Sequence, residues 1–222
     1  MISRSALAAG AIAAVSAGGR VADLRRDAWG HGLLGVAQAV AAAGAHAVLV
    51  DGPREAEVLE WEGIRAVSSG EADIDPALLY GFPDADGMLP HRPVLRLAGR
   101  VLSSKPLRAG EGVSYGYTYR APEDTVVALV TGGYAQGIVR GLGNSAHAEV
   151  NGTQRPIVGR VAMDVCVVDL EGHDVPDGTE VTYFGGDGPA APALSRWSQV
   201  TGLSIGELVT VAGSHAVREW EG

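Results

Sequence analysis

Ala146-His147-Ala148-Glu149-Val150-Asn151-Gly152-Thr153-Gln154-Arg155-Pro156-Ile157-Val158 decides how the second half of this chain is built. Asn151-Gly152 sits between two stretches of strand character, Ala146–Val150 and Pro156–Val161. Both residues of a two-residue hairpin loop must take positive φ, and Asn followed by Gly tolerates this best. Antiparallel β structure follows here. Further strands are predicted at Val94–Leu102, Gly112–Arg120, Thr125–Thr131, Val165–Leu170 and Glu180–Phe184. Short helices are predicted at Ala193–Val200 and Ser204–Val211. Tyr115, Tyr117 and Tyr119 alternate, so one strand would place them on one face as a stripe packing across its neighbours.

Upstream the rhythm changes. Pro83, Pro90 and Pro93, with Asp84, Asp86 and Gly87, mark a linker over residues 82–92. Before it, Val21–Leu24 is a short apolar run, His31–Ala43 an Ala-rich helix closed by Gly44, and Ala47–Val50 a buried strand. Pro53 opens a helix through Glu60, where its missing N–H costs nothing. Strand and helix in alternation predict βα units and a parallel sheet. The start, Met1–Leu7, carries one positive charge and then a small apolar stretch, the outline of a secretory leader. That stretch is mostly Ala and Gly, so a first helix from Ser5 to Ser16, capped by Ser5, is the expectation. Two domains are predicted, residues 1–90 and 91–222.

Composition narrows the function classes. A chain of 222 residues can bury a substantial core. No apolar run reaches membrane-spanning length, so a cytoplasmic protein without a membrane partner is expected. The net charge of -9, without any basic cluster, argues against nucleic acid, which demands grouped Lys and Arg. The six His are scattered without metal-ligand spacing, and no metal is expected. Cys166 is the lone cysteine; within Val165–Val168 it reads as a buried strand thiol. Gly185-Gly186-Asp187-Gly188 runs toward Pro189 and Pro192 and reads as a loop, not a phosphate cradle. Sixteen of the 17 basic residues are Arg; the one lysine, Lys105, reads as a solvated turn residue.

Three segments together resemble the C-terminal β domain of alanine racemases: Gly110–Gly116, Gly132–Gly137 and Ile157–Asp164. Their order and spacing agree with that family from about Arg92 to Trp220. More faintly, Asp27-Ala28-Trp29-Gly30-His31-Gly32 resembles the stretch after the family's cofactor lysine, and Ile74–Gly81 the end of its barrel. The resemblance implies an α/β remnant of a (β/α)8 barrel followed by a mostly-β domain. Such barrels run to about 250 residues, so most of this one is missing, between about Glu60 and Ser68.

Family members, by the same resemblance, hold pyridoxal phosphate as a Schiff base on a barrel lysine. That lysine and a tyrosine from the partner subunit exchange the α-proton. Tyr115 falls at the tyrosine base, Met163 at a residue whose backbone meets substrate, and Tyr134 at a further active-site tyrosine. Asp164 is expected to order the backbone beside Met163. On the cofactor side, Arg25 replaces the lysine, and a guanidinium that stays protonated is a poor Schiff-base nucleophile. Trp29 stands where Tyr is usual, Ile74 where an Arg pairs with the pyridine nitrogen, Pro76 at a phosphate-contacting Gly, and Gly206 at a phosphate-contacting Tyr. The expectation is an alanine racemase-like homodimer with a degenerate site, holding no cofactor and without racemase activity; pyridoxal phosphate is the cofactor if the family function survives. Two alternatives stand beside it. One is a partner subunit donating Tyr115 to a full-length racemase. The other is an amino-acid racemase or ligand-binding protein using cofactor non-covalently.

Overall fold

A computed structural model describes residues 1–222, which fall into two units: 1–95 with 209–222, and 96–208. The first unit opens with β1 (Ile2–Ser3), α1 (Arg4–Ser16), β2 (Val21–Asp23) and α2 (Arg25–Trp29). It continues with α3 (Leu33–Ala42), β3 (Ala47–Leu49), α4 (Pro53–Trp61), β4 (Ala66–Val67) and α5 (Pro76–Tyr80). Strands β2, β3 and β4 form an open parallel sheet, with Val21 opposite Ala47 and Val48 opposite Ala66. This is the α/β barrel remnant that the sequence implied. Helix α1 buries Ala6, Leu7, Gly10, Ala11 and Ala14, an i, i+4, i+7 stripe that is small at every position but Leu7. Gly10 lets α1 approach α5 backbone to backbone, since a Cβ there would overlap the carbonyl of Leu79.

The cap of α1 differs from expectation. Ser3, not Ser5, is extended (φ -85°, ψ 114°) and accepts from the Ala6 N–H at 3.3 Å. Arg4 is already helical, which puts Ser5 inside the first turn, where its hydroxyl cannot reach back to an unpaired N–H.

The second unit contains β5 (Leu97–Leu107), β6 (Gly112–Val113), β7 (Tyr119–Arg120), β8 (Thr125–Thr131), β9 (His147–Val150), β10 (Thr153–Val158), β11 (Val165–Asp169), β12 (Glu180–Phe184) and α6 (Ala193–Thr201). Six of these strands close into an antiparallel barrel in the order β10-β11-β8-β5-β12-β9, which leaves no open edge. Val150 pairs with Thr153 across the hairpin, and Asn151 (φ 49°) and Gly152 (φ 75°) are both left-handed, as a two-residue loop requires. Strand β10 therefore starts directly after this turn, three residues earlier than Pro156. Ala128, Val130, Cys166, Val168 and Val181 point inward and are fully buried. The Cys166 thiol lies 3.1 Å from the Tyr183 hydroxyl, which itself donates to the Thr131 carbonyl; burial pushes the thiol up to about 12.

The predicted strand Gly112–Arg120 is broken. A 3-10 turn at Tyr115–Tyr117 separates β6 from β7, with positive φ at Ser114 (65°), Gly116 (75°) and Tyr117 (46°). The three tyrosines consequently do not share a face. Tyr119 turns toward the barrel and donates its hydroxyl to buried Asp169 at 2.7 Å, and its phenol is pushed up to about 12, first by burial and then by that carboxylate. Tyr115 and Tyr117 stand exposed. The β6–β7 hairpin folds over the outer barrel face, where Leu107, Val113, Ala121, Val127 and Val158 form a second small core.

Helix α7 (Ile205–His215) and β13 (Trp220–Glu221) complete the chain. Strand β13 pairs in parallel with β1, Ile2 opposite Trp220. Arg92 pairs with Glu221 at 2.9 Å, and the Arg4 guanidinium lies 4.8 Å from the centre of the Trp220 ring. Residues 209–222 thus belong with the first unit, whereas the sequence reading ran the β domain to residue 222. No helix is long and apolar enough to cross a membrane.

Candidate functional site

In the first unit Arg25 and Trp29, two of the residues singled out from sequence, bound an unusual turn. Arg26, Asp27, Ala28 and Trp29 are all left-handed, with φ between 53° and 57°. Each such non-glycine residue costs roughly 1–2 kcal/mol, so the surroundings must hold the turn in place. The Asp27 carboxylate accepts from the Leu33 N–H at 2.7 Å and pairs with Arg218. Asp51 accepts from the Arg26 N–H at 2.6 Å. The turn delivers His31 to the core, where its ring stacks on Tyr80 at 4.0 Å, with Trp29 and Phe82 completing an aromatic cluster. Burial pushes His31 down to about 4, although the Ala28 and Trp29 carbonyls, 3.0 and 3.1 Å from Nδ1, pull the other way.

Arg25 begins this turn. Its Nε and Nη2 reach both oxygens of Asp23, at 2.9 and 2.6 Å, in a two-pronged pair that holds the Asp23 carboxyl below its usual range. Ile74 is buried against Gly19. Pro76 opens α5 behind Asp75, whose side chain caps the helix through the Ala77 N–H at 2.8 Å. Gly206 lies in the first turn of α7.

In the second unit the turns that carry Tyr115 and Tyr134 are tied to one segment, Gly159–Asp164, which itself carries Met163. The Ser114 hydroxyl donates to the Arg160 carbonyl at 2.5 Å, fixing the Tyr115 turn. The Tyr134 and Ala135 N–H groups donate to the carbonyls of Ala162 and Met163 at 3.0 and 2.9 Å. Asp164 accepts from the Gln136 side chain at 3.1 Å, and Gln136 in turn accepts from the Gly133 N–H, so Asp164 does order this backbone. All three side chains are presented outward: Tyr115 is 68%, Met163 55% and Tyr134 42% exposed.

Sequence reasoning missed one feature. A cavity of about 790 Å³ lies on the outer barrel face, walled by Gly112–Tyr117 and Arg160 and floored by β5, β8 and β11. Lys105, read as a plain solvated lysine, lines it. The signal was the strand register: Lys105 sits opposite Val127 and Ser103 opposite Leu129, which puts both on that face.

Residues 94–220 match the family model for the alanine racemase C-terminal domain. The chain belongs to the alanine racemase family. Among curated members it is 38% identical to the alanine racemase of Streptomyces coelicolor over 145 residues, 65% of this chain and 36% of that protein. It is 44% identical to the alanine racemase of Corynebacterium efficiens over 121 residues, 53% of this chain and 33% of that protein. The match therefore takes in about a third of the length of these alanine racemases. In fold, it resembles the solved alanine racemase of Streptomyces coelicolor with a TM-score of 0.85 at 22% identity, covering 99% of this chain and 96% of that one. The alanine racemase of Bartonella henselae, solved with covalently bound pyridoxal phosphate, is similar with a TM-score of 0.76 at 18% identity.

Proposed function

We propose that this chain is an alanine racemase relative that retains the β domain and the tyrosine position but not the cofactor site, and that it does not racemise alanine. One observation carries the reading. The first unit contains no lysine, and the residue at the start of its left-handed turn, Arg25, is closed into an ion pair with Asp23. A covalently held aldehyde cofactor needs an amine that can lose its proton, and a guanidinium paired to a carboxylate keeps its charge. Ile74 presents only hydrocarbon where a pyridine nitrogen would need a polar partner, and Pro76 has no N–H to offer a phosphate. These residues do not fit pyridoxal phosphate. A cytoplasmic homodimer is the assembly we propose.

Incubation with pyridoxal phosphate, borohydride reduction and mass mapping tests this reading. The expected outcome is no stoichiometric adduct, with exchange between L- and D-alanine at the buffer rate. A stoichiometric aldimine at Lys105, or racemisation abolished by Tyr115→Phe, would sink it. A visible band that dialysis removes and reduction does not trap would favour the non-covalent alternative.

The exposure of Tyr115 favours a second reading, in which the β domain lends this phenol to a full-length racemase. That reading predicts a mixed complex when the two chains are combined at micromolar concentration. Two separate peaks in size-exclusion chromatography would count against it.

A further inference from the structure

A small cleft of about 120 Å³ lies in the second unit, between the start of α6 and the β9–β10 hairpin. What it binds does not depend on whether the chain racemises an amino acid. Helical spacing builds one wall: Ala193, Arg196 and Trp197 stand at i, i+3 and i+4, on one face of α6. Ala146, Ala148 and Gln154 line it from the hairpin side, with His147, and Ala190 lines it just before the helix. Four of these residues are alanines, so methyl groups bound the space and no long side chain fills it.

Trp197 sets this cleft apart. It is completely buried, yet its indole N–H meets no acceptor. Buried donors are nearly always answered, because an unanswered one has left water and gained nothing in return. The chain has two other such atoms, His31 Nε2 and the Tyr80 hydroxyl, and both lie in the first unit, their rings 4.0 Å apart. Trp197 is the one of the three that borders this cleft. Arg196 beside it is held in place: its Nε donates to the Ser145 carbonyl at 3.1 Å, which leaves the two NH₂ ends of the guanidinium for another acceptor. Helix α6, nine residues long, begins at the cleft, and the N-terminal end of a helix favours negative charge. No carboxylate lines the cleft; Glu149, on β9, turns to the Ala190 N–H at 3.0 Å. The Gln154 amide is spent on the Pro189 carbonyl at 2.9 Å. Donors therefore come from α6, and methyl groups from all around.

We infer that this cleft binds a short-chain carboxylate, whose head meets the Trp197 indole N–H and the Arg196 guanidinium and whose carbon tail lies against Ala146, Ala148, Ala190 and Ala193. One oxygen accepts from the indole and the other from the guanidinium. An ionised acceptor makes a stronger bond to a buried N–H than a neutral one does. Volume sets the upper size. A cavity of about 150 Å³ takes benzene alone, so a chain of two or three carbons fits here and a ring with a carboxylate does not.

Indole N–H resonances of the nitrogen-15-labelled full chain, followed during titration with acetate, propionate, benzoate and the neutral acetamide, test the inference. The chain has four Trp, and Trp197→Phe identifies the Trp197 signal by its loss. Should that variant fold poorly, through-space contacts to the Phe184 ring, 5.3 Å away, identify it instead. The Trp197 signal is expected to move downfield and saturate with acetate and propionate, at dissociation constants on the order of millimolar. Acetamide should bind about tenfold more weakly or worse. Arg196→Gln, at an exposed position, should weaken acetate about five- to tenfold without moving the unfolding midpoint. Ala193→Leu should fill the cleft and remove the response. A Trp197 signal unmoved by acetate at about 100 mM, equal responses to acetate and acetamide, benzoate binding as tightly as acetate, or an acetate response untouched by Arg196→Gln would each overturn the proposal.

Discussion

Trp197→Ala is expected to lower the unfolding free energy of the barrel unit by about 3–5 kcal/mol, read from urea denaturation. Trp197 is completely buried on α6 and meets Phe184 edge-on, ring centres 5.3 Å apart at 85°. That geometry sets the positive edge of one ring against the negative face of the other. The indole N–H has no partner in the fold, so the whole loss is packing and desolvation. This separates two replacements. Trp197→Phe gives up volume but no hydrogen bond and should recover more than half of the loss. A drop below about 1 kcal/mol for the alanine variant would mean that α6 is not part of the cooperative core.

Acidification is expected to weaken the first unit through His31, by an amount on the order of 3 kcal/mol between pH 7 and pH 4. Unfolded, the imidazole titrates near 6.5; in the fold, burial pushes it down to about 4. Between those values the unfolded chain holds a proton that the folded chain refuses, so stability falls as pH drops through this window and levels off above it. The structure explains the refusal. Nδ1 already donates toward the Ala28 and Trp29 carbonyls, while Nε2 faces no partner, so a second proton would bury an unanswered charge. Asp23, held down by Arg25, releases its contribution only below the ordinary carboxylate range, outside the window. His31→Phe keeps a ring against Tyr80 and should flatten the pH dependence, at the cost of the link to the two carbonyls. An unchanged slope between pH 4 and 6.5 in that variant would refute the assignment.

The sequence yields the barrel strands well where local chemistry and long-range pairing agree. Thr125–Thr131 and Glu180–Phe184 have the boundaries read from composition, because apolar β-branched runs bounded by turn residues serve both. Asn151-Gly152 fixed a turn outright, since few residue pairs accept two positive φ values. The break at Ser114–Tyr117 was hidden for the opposite reason. Ser114 and Tyr117 are left-handed without any residue that favours it, held instead by the Gly159–Asp164 segment arriving from elsewhere in the chain. The left-handed run Arg26–Trp29 is likewise stabilised by Asp51 and Arg218, distant in sequence. Tyr115, Tyr134 and Met163 are legible from their motifs, but the hydrogen bonds that tie the two tyrosine turns to the Met163 segment join residues distant in sequence. Lys105 is exposed, as a solvated lysine should be, but it lies on β5 and not in a turn, and its face depends on a bulge two residues earlier, which no composition rule reveals.

The pairing of Ile2 with Trp220 gives the first unit a kinetic dependence on the second. Its closing contact spans nearly the whole chain, and an open loop of that length is slow to close. Once the intervening barrel has folded, its ends are held at a set span instead of diffusing freely, and the search shortens. Damage to the barrel core should therefore slow the docking of β13 on β1 as well as unfold the barrel, and a defect that arises in one unit would be felt as delayed maturation of the other.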